Sequence, residues 1–139
     1  MAIRLGMDAK IYFGEAGSTA TEEMTNVKDV TLSLEAGEAD VTTRANGGWK
    51  ATAATLKDAS VEFEMIWDTE DPGFSAIQTA FFGNQPLALA ILDGESGSGL
   101  DADFVITKFD RNEPLEEAIT VSITAKPTYS TRAPEWIEG

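Results

Sequence analysis

The chain has 139 residues, 42% hydrophobic and 9% aromatic, which is enough for one domain with its own core. Its 24 acidic and 10 basic residues leave a formal net charge of −14, which argues against binding nucleic acid by neutralising phosphates. With neither cysteine nor histidine, disulfide frameworks, Cys/His zinc sites, Ser-His-Asp triads and Cys-His dyads are all excluded. Residues 1–57 hold eight acids against six bases, and residues 58–139 hold sixteen against four, so nearly all the net charge lies in the second part. The N-terminus MAIRLGMDAK lacks the apolar core of a signal peptide, and no apolar run approaches the ~20 residues of a membrane helix. The expectation is a soluble chain made in the cytoplasm, with no membrane contact.

In chain order, Ala9 to Phe13 reads as a short strand, followed by the polar loop GEAGSTATEE. Val27 to Glu35 is a second strand, with Val30, Leu32 and Leu34 on one face and Thr31, Ser33 and Glu35 on the other. Glu38 to Thr43 continues with one polar face, and Asn46-Gly47-Gly48 supplies the positive-φ residues of a tight hairpin tip. From Ala36 to Leu56 the only bulky apolar residues are Val41, Trp49 and Leu56, so this stretch cannot fill a core. It reads as a long projecting hairpin, about residues 36–57.

After a turn expected at Lys57-Asp58, Ser60 to Trp67 alternates Val61, Phe63, Met65 and Trp67 with acids, the pattern of a half-buried strand. Asp71 is placed to N-cap a helix that starts at Pro72. Phe74, Ile77 and Phe81 form its apolar stripe, and Gly83 ends it, so the helix spans about 72–82. Pro86 to Leu92 is a nearly continuous apolar run, expected to be a strand covered by that helix and by an opposite sheet. The stretch from Asp93 to Asp103 carries Asp93, Glu95, Asp101 and Asp103. It lacks the register of an EF-hand, so it reads as a flexible acidic turn rather than a calcium loop. Phe104 to Phe109 and Ala118 to Lys126 are further strands around a bend at Pro114, and the tail at about 127–139 has no core-forming period. The sum is a mainly β single domain spanning 1–139: a small β-sandwich or partly closed barrel of about seven to eight strands with one flanking helix.

The succession of the GEADVTTRANGGW hairpin, the VEFEMIWD strand, the DPGFSAIQTAFF helix, the PLALAILDG strand and finally FDRNEPLEEAITVSITAKPTY resembles the major tail tube proteins of long-tailed bacteriophages. The resemblance runs over roughly Gly6 to Tyr129 and includes no catalytic signature. It implies a non-enzymatic virion protein without cofactors, made in the host bacterial cytoplasm and placed in the virion tail. It further implies hexameric rings stacked into a hollow tube, through which DNA passes without specific binding. The partners implied are further copies of the chain and the tape-measure, terminator and baseplate or tip proteins.

On that reading the hairpin reaches a neighbouring subunit. Arg44, Lys50 and Lys57 meet its carboxylates, near Asp68 to Asp71 or Asp93 to Asp103, while Trp49 serves as a packing anchor. Carboxylates facing the lumen repel the phosphates of the passing genome, and either Glu38 with Asp40 or Glu62 with Glu64 is a candidate set. The bland alternatives are a solvated outer face and ordinary surface bases. Three other functions stay open: a tail-terminator or head-tail completion ring protein, an acidic β-sandwich binding module with or without calcium dependence, and a carboxylate enzyme. The last is disfavoured because Glu62 and Glu64 neighbour each other on one strand face instead of facing across a cleft.

Overall fold

The computed structural model describes residues 3, 5–94, 97–129 and 132–138. Its strands are β1 (Lys10–Glu15), β2 (Glu22–Glu23), β3 (Val27–Asp40), β4 (Thr52–Ile66), β5 (Leu87–Leu92), β6 (Gly99–Asn112), β7 (Thr120–Thr128) and β8 (Glu135–Ile137), with one helix, α1 (Pro72–Phe82). They form a single antiparallel sheet in the order β2-β1-β5-β6-β7-β4-β3, with β8 laid beside β6. Ile11 of β1, the second strand in that order, and Leu32 of β3, the last, pack on the same apolar cluster. The sheet is therefore strongly curled, yet β1 and β3 do not pair. A groove of about 630 Å³, lined by Lys10, Ile11, Met24 and Val27 among others, marks where closure stops. The mainly β fold with one flanking helix agrees with the sequence expectation.

Alternation builds this core directly. Val61, Phe63 and Met65 of β4 and Val121, Ile123 and Ala125 of β7 are all buried, while the Glu, Ser and Thr residues between them point away. Helix α1 starts where the Asp71 carboxylate accepts the Phe74 N–H at 2.9 Å, with Pro72 at its first turn, and it presents Phe74, Ile77 and Ala80 to the core. Phe74 meets Trp67 edge-to-face at 4.8 Å between ring centroids, and Phe81 stacks on Phe109 at 5.5 Å, which fixes the helix over the sheet.

Several expectations are corrected. No turn occurs at Lys57-Asp58, because these residues pair with Ala36 and Glu35 inside one uninterrupted β4. Likewise Val27–Asp40 is one strand, not two. The second face of β5 is not covered by an opposite sheet. Ala88 and Ala90 instead pack with Ala20 from the β1–β2 loop and with Tyr12. Part of the expected acidic turn is strand, since Gly99 to Phe104 pair with β5, while Glu95 lies outside the described residues. The tail is not loose throughout: Glu135, Trp136 and Ile137 pair with Asp101, Leu100 and Gly99.

Candidate functional site

Three features distinguish this molecule from a plain sheet: a projecting ribbon, a broad polar face and a buried charge knot. The ribbon is the distal part of β3 and β4. β4 pairs with β7 only from Val61 to Ile66, whereas it pairs with β3 out to Asp40↔Thr52. Among the described residues, the ladder from Ser33↔Ser60 to Asp40↔Thr52 is therefore two-stranded, with both edges open. Unpaired edges are sites for strand addition unless something blunts or covers them. Val30, Leu34, Val41, Trp49 and Leu56 are exposed along β3, β4 and their connection, apolar surface that the described residues leave uncovered.

Two bulges shape the ribbon. Asp29 and Val30 together oppose Phe63, with Asp29 at φ 50°, and Thr55 with Leu56 opposes Gly37. The tip is well ordered despite its exposure. The Asp40 carboxylate accepts the Thr42 N–H at 2.9 Å, Ala51 N–H donates to the Thr42 hydroxyl at 2.8 Å, and Thr43 and Asn46 form a reciprocal cap around the 3₁₀ turn Arg44–Asn46. Gly47 and Gly48 then take φ of 63° and 86°, which glycine adopts without penalty. The Thr42 hydroxyl and then its backbone N–H hold the Asp40 carboxyl below its ordinary value.

The polar face is formed by the sides of β3, β4, β7 and the second half of β6 that point away from the core. One row across it reads Thr31, Glu62, Thr124 and Lys108, and another reads Lys28, Glu64, Ser122 and Asp110. Lys28 pairs with Glu64 at 3.7 Å and Lys108 with Asp110 at 3.2 Å, whereas Glu35 lies directly opposite Asp58 with no intervening base. Like charges in that position repel.

The two candidate lumen sets separate here. Glu62 and Glu64 belong to this polar face. Glu38 and Asp40 continue the Leu32, Leu34, Ala36 side of the ribbon, which is the opposite face. Arg44, Lys50 and Trp49 sit at the tip, and Lys57 lies midway along the ribbon across from Ala36. Among the described residues Arg44, Lys50 and Lys57 form no ion pair.

The charge knot escaped the sequence reading. Asp101 and Asp103 are 1% and 0% exposed, and Arg132 reaches both, at 2.9 Å and 3.0 Å. The Gly17 N–H also donates to Asp103 at 3.0 Å, so one carboxylate ties the β1–β2 loop, β6 and the tail together. Burial lowers the Arg132 pKa, but hydrogen bonds and charge from Asp101 and Asp103 outweigh it and raise the pKa above its ordinary value. The visible signal was Leu100, Ala102 and Phe104 alternating with Asp101 and Asp103, a strand pattern hidden by the glycines before it. These two acids are committed inside the subunit; Asp93 and Asp68 to Asp71 remain of the expected partners for the ribbon bases, and Glu95 lies outside the described residues. Among the described residues no group of three acidic, His or Cys side chains is placed to hold a metal ion.

The sequence profile of the phage tail tube protein family matches residues 6–128. This chain belongs to the phage tail tube protein family. As a member of it, the chain is a structural, tube-forming protein of the virion tail. Its fold is similar to that of the tail of an empty gene transfer agent particle refined with C6 symmetry, at 20% identity and a TM-score of 0.76, over 92% of this chain and 96% of that one. It is also similar to the SPP1 tail tube, at 13% identity and a TM-score of 0.72 over 99% of this chain and 80% of that one. A chain of the anti-feeding prophage baseplate shares the fold at 5% identity and a TM-score of 0.65, over 99% of this chain and 97% of that one. Comparison with curated protein sequences gave no match.

Proposed function

We propose that this tail tube protein forms six-membered rings stacked into a hollow conduit for DNA, with the polar face of β3, β4, β7 and β6 turned to the lumen and the β3–β4 ribbon reaching between copies. The observation that carries this reading is the ribbon: a long two-stranded element with open edges and exposed apolar side chains that none of the described residues covers. The sixfold symmetry described for the similar gene transfer agent tail supports the ring number.

On this reading Glu62 and Glu64, with Glu35 and Asp58 further along the same face, are the lumen carboxylates. Glu38 and Asp40 belong to contacts along the ribbon. Lys28 and Lys108 temper the face locally, so it repels phosphate without accumulating excessive charge within each ring. Synthesis takes place in the host cytoplasm, and the tape-measure, terminator and baseplate or tip proteins are the further partners.

Electron microscopy of concentrated protein, and of particles that carry it, tests the proposal. Stacked rings with six subunits and an open centre are expected, and compact monomers within mature particles would refute it. Glu62→Lys/Glu64→Lys tubes should assemble but retain DNA in a salt-dependent way. Ejection at the normal rate from particles with these tubes would remove the lumen assignment.

A further inference from the structure

The strand registers place two oppositely charged surfaces at opposite ends of the molecule. Ile66 pairs with Thr120, and Thr120 with Asn112, so the β6–β7 loop lies just beyond the C-terminal end of β4. Asp40 pairs with Thr52 at the other end of β4, fourteen residues away, so the ribbon tip lies at the far pole. At ~3.4 Å per strand residue the two poles are separated by roughly 45 Å.

The tip, residues 41–51, carries Arg44 and Lys50, with the Asp40 carboxylate bonded to Thr42 at its base as the one adjoining acid. The other pole carries Glu113, Glu116 and Glu117 in the β6–β7 loop and Asp68, Glu70 and Asp71 just after β4, with no base in either segment. Only Glu113 among the three loop acids forms an ion pair in the described structure, with Arg111 at 3.5 Å. Each pole also displays exposed apolar side chains: Trp49, 80% exposed, with the smaller Val41 at the tip, and Leu115, 99% exposed, between the loop glutamates. An apolar anchor ringed by charge, facing an apolar anchor ringed by the opposite charge, is the anatomy of a protein interface.

We propose that the ribbon tip of one copy docks on the acidic β6–β7 loop of the next, with Trp49 against Leu115 and Arg44 and Lys50 against Glu116 and Glu117. The two surfaces differ, so the contact is head-to-tail, and it closes into a ring or runs along an axis according to the rotation between copies. Their placement at opposite ends of the long axis of β4 favours the second, so we assign it to the contact between successive rings. This rests on the reading of the ribbon as an assembly element, and it names the surface the ribbon meets.

The chain contains no cysteine, so introduced pairs report the contact cleanly. Under oxidation Trp49→Cys/Leu115→Cys should give a ladder of linear oligomers, while Trp49→Cys or Leu115→Cys alone gives none beyond dimer. Arg44→Glu/Lys50→Glu and Glu116→Lys/Glu117→Lys should each cut tube formation at least tenfold, and the four changes combined, or an equimolar mixture of the two variants, should restore it. Normal tubes from the Arg44→Glu/Lys50→Glu variant would overturn the ribbon reading itself. Loss with that variant but normal tubes from the loop variant, or no rescue on combination, would overturn the pairing proposed here and leave the ribbon reading standing.

Discussion

Arg132 donates Nε–H to the Asp103 carboxylate at 3.0 Å, across twenty-nine positions of sequence, while its other arm lies 2.9 Å from Asp101. Both carboxylates are inside the protein, so removing the guanidinium takes a shared counter-charge away from two buried acids. Arg132→Ala should cost about 3–5 kcal/mol of subunit stability, in the range for breaking one partner out of a buried ion pair. Arg132→Lys should recover only part of the loss, because an ammonium cannot reproduce a fork that meets two carboxylates at once. Urea denaturation of the unassembled chain measures both, and a loss under about 1 kcal/mol for the alanine variant would show that the knot is not needed for stability.

Gly99 is the first residue of β6, and a Cβ there would lie 1.6 Å from the Ile91 carbonyl oxygen. That neighbour is backbone within the β5–β6 ladder and cannot swing aside. Gly99→Ala should therefore destabilise by about 2–3 kcal/mol through forced displacement of the strand pair, the upper end of the usual cost of overpacking. Amide exchange should report the loss first at Ile91 and Leu92. Unchanged protection there would contradict the steric account.

Trp49 is large, exposed and far from the core. Its truncation to alanine should move subunit stability by no more than about 0.5 kcal/mol, as for other surface positions. Tube yield should fall severalfold at fixed concentration. Parallel melting and microscopy separate the two effects, and a variant that melts early but assembles well would reverse the assignment.

The Asp40 carboxyl, held below its ordinary value of 3.8 by Thr42, gives the ribbon tip a dependence on acid. Since the folded pKa is depressed, its contribution is fully present above the unfolded value and disappears as pH falls through the lower folded value. Amide shifts of Thr42 should therefore stay constant from neutral pH down to about 4 and change only below it. A midpoint above 4 would mean that the turn does not hold the charged form.

The parts of this fold that could be read from sequence are those where one side of an element is wet and the other dry. Val61 to Met65 and Ile119 to Ala125 show this by strict alternation, and α1 shows it through Asp71, Pro72 and the Phe74 stripe. Lys57 and Asp58 gave the opposite signal. On a ribbon exposed on both faces no burial contrast exists, so two charged residues mid-strand resemble a turn. Asp101 and Asp103 were illegible for another reason: the base that compensates them, Arg132, is distant in sequence, and carboxylates without a visible partner are ordinarily assigned to solvent. That Arg44, Lys50 and Trp49 are exposed was readable from composition, whereas the acidic end of the molecule, at the opposite pole, became visible only through the strand registers.

The bulge at Asp29 and Val30 has a consequence for the subunit before it joins anything. β3 is the last strand of the sheet, and a straight outer edge would recruit any extended chain in a crowded cell. The kink interrupts that edge at the point where the ribbon leaves the body, so a flat, generic strand finds no continuous ladder to follow. Only a surface already bent to match can engage both segments. The same irregularity that aims the ribbon thus acts as a safeguard against fibril formation during the interval between synthesis and use.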